Sequence, residues 1–249
     1  MTIPARISKI VLQALVICVI TASGAIAGPS KNVIELFTSQ GCSSCPKADM
    51  LLKSYAAKPD IVALSYNVDY WDYLGWKDTL GKATFSKRQR AYAQARGDGK
   101  VYTPQVITNG LDHAVGSDQS RIDFALSRSA DRLSGFRPTL ELISGKSSYT
   151  IKIGAGEALS NPATVYVVAV SPSVTVSIKG GENHGRKVTY HNVVRNLIPV
   201  GMWSGEPTTV QLRSQDILGA KNQRCAVIVQ AADHGAILAA DWMPEMPTE

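Results

Sequence analysis

Two things are scarce in this 249-residue chain: apolar runs long enough to cross a bilayer, and cysteines beyond one close pair. The apolar stretch Ile10 to Ile20 covers eleven residues and is broken only by Gln13. A spanning helix needs roughly 20, which excludes a retained anchor. The stretch follows Arg6 and Lys9 and leads to the small-x-small triplet Ala25-Ile26-Ala27. That order reads as a secretory signal peptide over residues 1–27. Ile17 stands where a lipoprotein signal would place a small residue before Cys18, so lipid attachment is disfavoured. The expected location is secreted or periplasmic, with no transmembrane anchor after cleavage. Loss of Arg6 and Lys9 lowers the formal charge from +6 to +4. So mild a balance does not argue for nucleic acid.

Of the four cysteines, Cys18 leaves with the signal, and Cys42, Cys45 and Cys225 remain. There is no second C-x-x-C and no closely spaced His pair, whereas a tetrahedral zinc site needs two ligands beyond Cys42 and Cys45. No metal site is expected. In an oxidising compartment the close pair favours a disulfide. Cys225 opens an apolar strand with Val227 and Val229, the setting of a buried, inert thiol. Internal repeats and low-complexity segments are also missing.

The chain changes character near Gly135-Phe136-Arg137-Pro138. Before it, strand-like runs at Val33 to Phe37 and Ile61 to Val68 alternate with helical stretches at Cys42 to Ala57, Lys77 to Arg96 and Ser120 to Leu133. Asn109-Gly110 predicts a hairpin between residues 106–108 and 113–115. The order β-α-β-α-β-β-α implies a parallel crossover followed by an antiparallel end. After Pro138 about eight short apolar runs, separated by Gly, Pro, Ser and Asn clusters, predict an all-β sandwich. The expected organisation is an α/β domain over residues 28–135 and a sandwich-like β domain over residues 136–249.

The chemistry-bearing residues lie in Gly41-Cys-Ser-Ser-Cys-Pro46. If Cys42 opens a helix, unpaired N–H groups and the helix dipole favour its thiolate. Cys45, three residues on, is placed to resolve a mixed disulfide formed at Cys42. No acidic residue lies between Glu35 and Asp49 to oppose that thiolate. The pair therefore points to thiol–disulfide exchange with a protein or small-thiol partner, with no separate cofactor. Two alternatives stay open: binding of soft copper ions by the same thiolates, and a non-catalytic adaptor that binds protein.

Ser65-Tyr-Asn-Val-Asp69, Thr103-Pro104 before an apolar strand, Asn109-Gly110 and Val115-Gly116 resemble the corresponding parts of thioredoxins. That resemblance implies a thioredoxin-like fold, a cis Pro104, and a Thr103 backbone presented to substrate beside Cys42. Glu35 falls near the buried acid of thioredoxins and is an accessory candidate. Gly41 replaces the usual Trp, and Ser43-Ser44 replace Gly-Pro, leaving the direction of electron flow open. More narrowly, Glu35 to Pro46, Asn67 to Trp76, Tyr102 to Val106 and Gly181 to Arg186 resemble the secreted bacterial family called domain of unknown function 1223. It brings no settled reaction.

Weaker constellations are an aromatic stretch and two polar groups. Tyr66, Tyr70, Trp71, Tyr73 and Trp76 either wall a substrate groove, with Trp71 and Trp76 as contacts, or pack under a long loop. Lys77, Lys82, Lys87, Arg88, Arg90, Arg96 and Lys100 form a basic run that reads as a solvated face or an attractor of acidic ligands. Strand alternation from Lys187 places His191 and Arg195 on one face, with His184 and Arg186 at its edge, as further accessory candidates.

Overall fold

The computed structural model describes residues 30–217 and 223–246. The signal segment lies outside the described residues. The first unit follows the expected order: β1 (Asn32–Thr38), α1 (Cys45–Ala56), β2 (Ile61–Asn67), α2 (Ala83–Arg96), β3 (Gln105–Thr108), β4 (Asp112–Val115) and α3 (Gln119–Arg132). β1 and β2 pair in parallel, while β3 pairs antiparallel with both β1 and β4. The β3–β4 connection uses Asn109 and Gly110, both at positive φ, as its turn chemistry requires. Asp118 caps α3 by accepting from the Arg121 N–H at 3.1 Å.

The later strands are β5 (Leu140–Ser144), β6 (Ser148–Ile153), β7 (Ala163–Ser177), β8 (Lys187–Trp203), β9 (Thr208–Arg213), β10 (Arg224–Gln230) and β11 (Ile237–Trp242), with the short helix α4 (Ser214–Ile217) after β9. They do not close into a sandwich of their own, which corrects the sequence expectation. One eight-stranded sheet runs β11-β10-β7-β8-β2-β1-β3-β4, and β5-β6-β9 form a separate three-stranded sheet. The join is β8 lying parallel to β2, with Ser65 opposite Val193. Strands from both sides of residue 135 thus share one sheet. The apolar runs 164–170 and 174–178 belong to one long β7, paired with β8 down to Ser177 and Lys187.

Burial follows from alternation along these strands. Ile34, Leu36, Ile61 and Ala63 face Ala48, Leu52 and Tyr55 of α1 and Ile122 of α3. Val33, Phe37, Val62, Leu64 and Tyr66 face Phe85 and Tyr92 of α2 on the other side. The same split continues into β7 and β10. Val168, Val170, Ala226 and Ile228 join the α2-side core, and Val165, Val167, Val227 and Val229 pack with Tyr149, Ile151 and Ile153 of the small sheet. The molecule is a mixed α/β fold: α1, α3 and the small sheet cover one face of the large sheet, and α2 covers the other.

Beyond their pairing with β10, β7 and β8 continue as a two-stranded ribbon. Val174, Val176, Ile178, Val188 and Tyr190 pack it under Trp76 and Leu80 of the loop after β2. The turn between its strands, residues 178–186, therefore reaches the C-terminal end of β1, where the cysteine loop begins.

Candidate functional site

Cys42 and Cys45 are joined by a disulfide, with their Cα atoms 5.4 Å apart. α1 starts at Cys45, not at Cys42. Cys42 instead sits in a turn: its N–H donates to the Ser39 carbonyl and its carbonyl accepts from the Cys45 N–H, both at 3.2 Å. Pro46 occupies the first helical turn, where no N–H is missed. The Ser44 hydroxyl lies 3.3 Å from Cys42 Sγ. Cys42 is only 3% exposed and Cys45 is fully buried.

Three segments hold the cysteine loop. From the loop after β2, Asp78 accepts from the Gln40 N–H at 2.8 Å and the Leu80 N–H at 2.8 Å, and Trp76 Nε1 donates to Gln40 Oε1 at 2.8 Å. Trp71 ties a second segment to it. Its Nε1 donates to Thr103 Oγ1 at 2.7 Å, while its own backbone lies against Gly41. A β-carbon on Gly41 would stand 3.0 Å from Trp71 Cβ and 3.2 Å from the Trp71 carbonyl oxygen. Glycine in place of a large residue here is a packing requirement. The Thr103–Pro104 bond is cis, and Pro104 packs with Leu36 and Ala48 around Gly116.

The third segment is the tip of the β7–β8 ribbon. Asn183, 1% exposed, donates through Nδ2 to the carbonyls of Gln40 at 3.0 Å and Cys42 at 2.8 Å. Glu182 accepts from the Ser43 N–H at 3.1 Å. Gly180 lies so close to the Gly75 carbonyl that a β-carbon would approach it to 2.7 Å. The ribbon tip thus covers the cysteine loop through contacts to its main chain.

The expected site residues separate in space. Trp71, Trp76, Thr103 and Pro104 all surround or adjoin the cysteine loop. Trp71 and Tyr73 stack at 6.3 Å, and Tyr73 is 75% exposed, whereas Tyr66 is buried against Phe37. The aromatic stretch is part surface and part core. Glu35 lies on the α2 face, opposite α1, and accepts from Arg88 Nε at 2.9 Å and from the Tyr92 hydroxyl. Arg88 is 4% exposed, so one member of the basic run belongs to the core. His184 and Arg186 are exposed at the ribbon tip. His191 does not share a site with Arg195. A bulge opposite Ala169 and Val170, with a positive φ at Asn192, breaks the alternation. Arg195 instead donates to Ser171 Oγ at 2.9 Å, and its carbonyl accepts from Lys82. Cys225 is buried and unbonded, and burial pushes its thiol up to about 11.

Sequence reasoning missed two residues. Asp49 stands one helical turn after Cys45, 2% exposed, and neither carboxylate oxygen has a hydrogen-bond partner among the described residues. Burial raises its pKa to about 8, offset in part by the facing Thr38 hydroxyl and reinforced by Asp78. Its signal was the helical spacing, since residues i and i+4 share a face. Asn183 reads as a turn former in a Gly-rich segment, and only the fold shows that it bonds the cysteine loop.

The fold and this setting define a mixed α/β protein with a large mixed sheet and a disulfide at the C-terminal end of its β1 strand. The chain belongs to the family described as Protein of unknown function (DUF1223), whose model matches residues 33–230. It is similar to an X-ray structure of protein AGR_C_4864 from Agrobacterium tumefaciens, at 38% identity and a TM-score of 0.76. That match covers 88% of this chain and 97% of the other. No curated protein matches it. Among the described residues no helix is long and apolar enough to cross a membrane.

Proposed function

We propose that this protein is an exported thiol–disulfide oxidoreductase with a thioredoxin-like unit at its N-terminal end. The observation that carries the reading is the Cys42–Cys45 disulfide at the β1–α1 junction. The β-α-β-α-β-β-α order and the Trp71 link to Thr103 support it. In the exchange, a partner thiolate attacks Cys42 Sγ, the Cys42–Cys45 bond breaks, and Cys45 leaves as thiolate and takes up a proton. Attack on the new mixed disulfide by a second partner thiol releases Cys42. Two electrons and two protons reduce the pair while the partner dithiol becomes a disulfide.

Equilibration of the mature protein with dithiothreitol redox buffers tests this reading. A single two-electron transition that disappears in Cys42→Ser is expected, with peptide mass mapping joining Cys42 to Cys45. A pair that stays oxidised or reduced across the accessible range would sink it. So would a Cys42→Ser, Cys45→Ser double variant that keeps full function. Stoichiometric Cu(I) uptake without exchange would move the assignment to metal binding.

A further inference from the structure

Beside the disulfide, α1 and the start of β8 enclose a groove of about 620 Å³. Its apolar part is Pro46, Met50 and Val188, and its rim carries Lys53, Arg186 and Lys187. Pro46, Met50 and Lys53 recur at helical spacing, so they form one stripe of α1 beginning at the residue bonded to Cys45. Met50 is 69% exposed, unusual for a large apolar side chain beside a reactive centre. Among the described residues no carboxylate lines the groove. Of the acids on the flanking segments, Asp49 is buried beneath the helix and Glu182 accepts from the Ser43 N–H. Among the described residues none of the three rim cations forms an ion pair. His191 closes the inner end, and burial together with Lys53 lowers its pKa, so at neutral pH the rim's charge comes from Lys53, Arg186 and Lys187.

We infer that this groove docks an extended acidic segment of a protein partner, with one apolar side chain seated against Met50 and Val188. The inference rests on the redox reading for its purpose: the docked segment flanks the partner cysteine that exchanges with Cys42. Charge complementarity selects the occupant, because three unpaired cations around an apolar floor repel a basic segment and gain from an acidic one. Length sets the smallest occupant that fills the groove. Pro46 to Lys53 spans about 10 Å along the helix, which about three extended residues cover at roughly 3.3 Å each. Further residues are needed to return to Cys42. The ribbon supplies one wall of the groove, so it both holds the cysteine loop and selects what approaches it.

The test separates binding from exchange. A fluorescein-labelled twelve-residue peptide rich in Asp and Glu, with one Leu and its cysteine replaced by Ser, is titrated into the oxidised mature protein. A version with Lys in place of every Asp and Glu and a glutathione analogue lacking the thiol serve as comparisons. The acidic peptide should bind at least tenfold tighter than the basic one, with affinity falling as salt rises. Lys53→Glu, Lys187→Glu should cost tenfold or more and Met50→Ala a smaller factor. If the double reversal lowers the thermal midpoint, Lys53→Gln, Lys187→Gln replaces it, with an expected loss of at least threefold. Equal binding of acidic and basic peptides overturns the inference, as does tighter binding of the glutathione analogue than of the acidic peptide. Restoring the cysteine then separates the two claims. Charge-selective binding without exchange at Cys42 refutes the redox reading and leaves the docking groove standing. Exchange at equal rates with both peptides does the reverse.

Discussion

On the α2 face of the large sheet, Glu35 is fully buried and accepts from Arg88 Nε at 2.9 Å and from the Tyr92 hydroxyl, which also accepts from Gln230 Nε2 at 2.9 Å. On the α1 face, Asp49 is buried almost as completely, and neither of its oxygens has a hydrogen-bond partner among the described residues. A buried charge is tolerated where opposite charge and hydrogen bonds surround it, and otherwise it keeps its proton. The Glu35 network therefore works as a rivet between β1, α2 and β10, joining strands from both halves of the chain. Asp49 instead holds a titrating proton one helical turn from the disulfide. Two acids flanking one cysteine motif thus do opposite things, and the difference lies in what faces them.

The largest expected effect tests the partnered side. Arg88→Ala leaves the Glu35 carboxylate buried without its cation, a change that typically costs about 3–5 kcal/mol. Urea unfolding should show a fall in unfolding free energy of that size, with Tyr92→Phe giving a smaller loss. A change in Arg88→Ala below about 1 kcal/mol would mean that the Arg88 contact does not hold the network, and the contrast with Asp49 would collapse.

The next effect tests the unpartnered side through pH. Asp49 titrates at about 8 in the folded protein and near 3.9 when unfolded. The folded state therefore holds a proton that the unfolded chain has lost between those values. This contribution to stability is complete below about pH 4 and is lost as pH rises to about 8, with a slope of at most about 1.4 kcal/mol per pH unit. Asp49→Asn has no such proton. Subtracting the two proteins' unfolding free energies from pH 5 to pH 9 should give a difference that moves in the variant's favour and levels off above about pH 8. A flat difference would show that Asp49 ionises normally.

How far these sites were legible follows from the same physics. The alternation of Val33 to Phe37 and the helical spacing of Ala48, Leu51, Leu52 and Tyr55 act locally, so the order of the first seven elements could be read. The sheet that crosses residue 135 could not. Its seam rests on Ser65 opposite Val193, and neither residue carries a mark that names its neighbour. Strand patterns after Pro138 announced β structure but not which edge each strand would join. At the site, C-x-x-C declared itself by spacing, whereas Asn183 acts through two backbone carbonyls that any sequence would supply. Glu35 occupied the expected position in the sequence, but alternation along β1 turned it to the face away from α1.

The smallest effect sharpens the comparison further. Thr38 sits at the end of β1 with its hydroxyl toward Asp49, fully buried, and that oxygen makes no hydrogen bond of normal geometry. It nonetheless favours the ionised carboxylate. Thr38→Val keeps the shape and removes that dipole, so the protonated form of Asp49 is left untouched and only the ionised form suffers. Below about pH 6 the variant should match the original or gain slightly, since an unpartnered buried hydroxyl contributes little. Above about pH 8 it should be the less stable of the two by under about 1 kcal/mol, the scale of one neutral hydrogen-bonding group. In an Asp49→Asn background the same substitution should lose its pH dependence. Persistence of that dependence would place the titrating proton on another group, Asp78 being the nearest carboxyl whose pKa burial also raises.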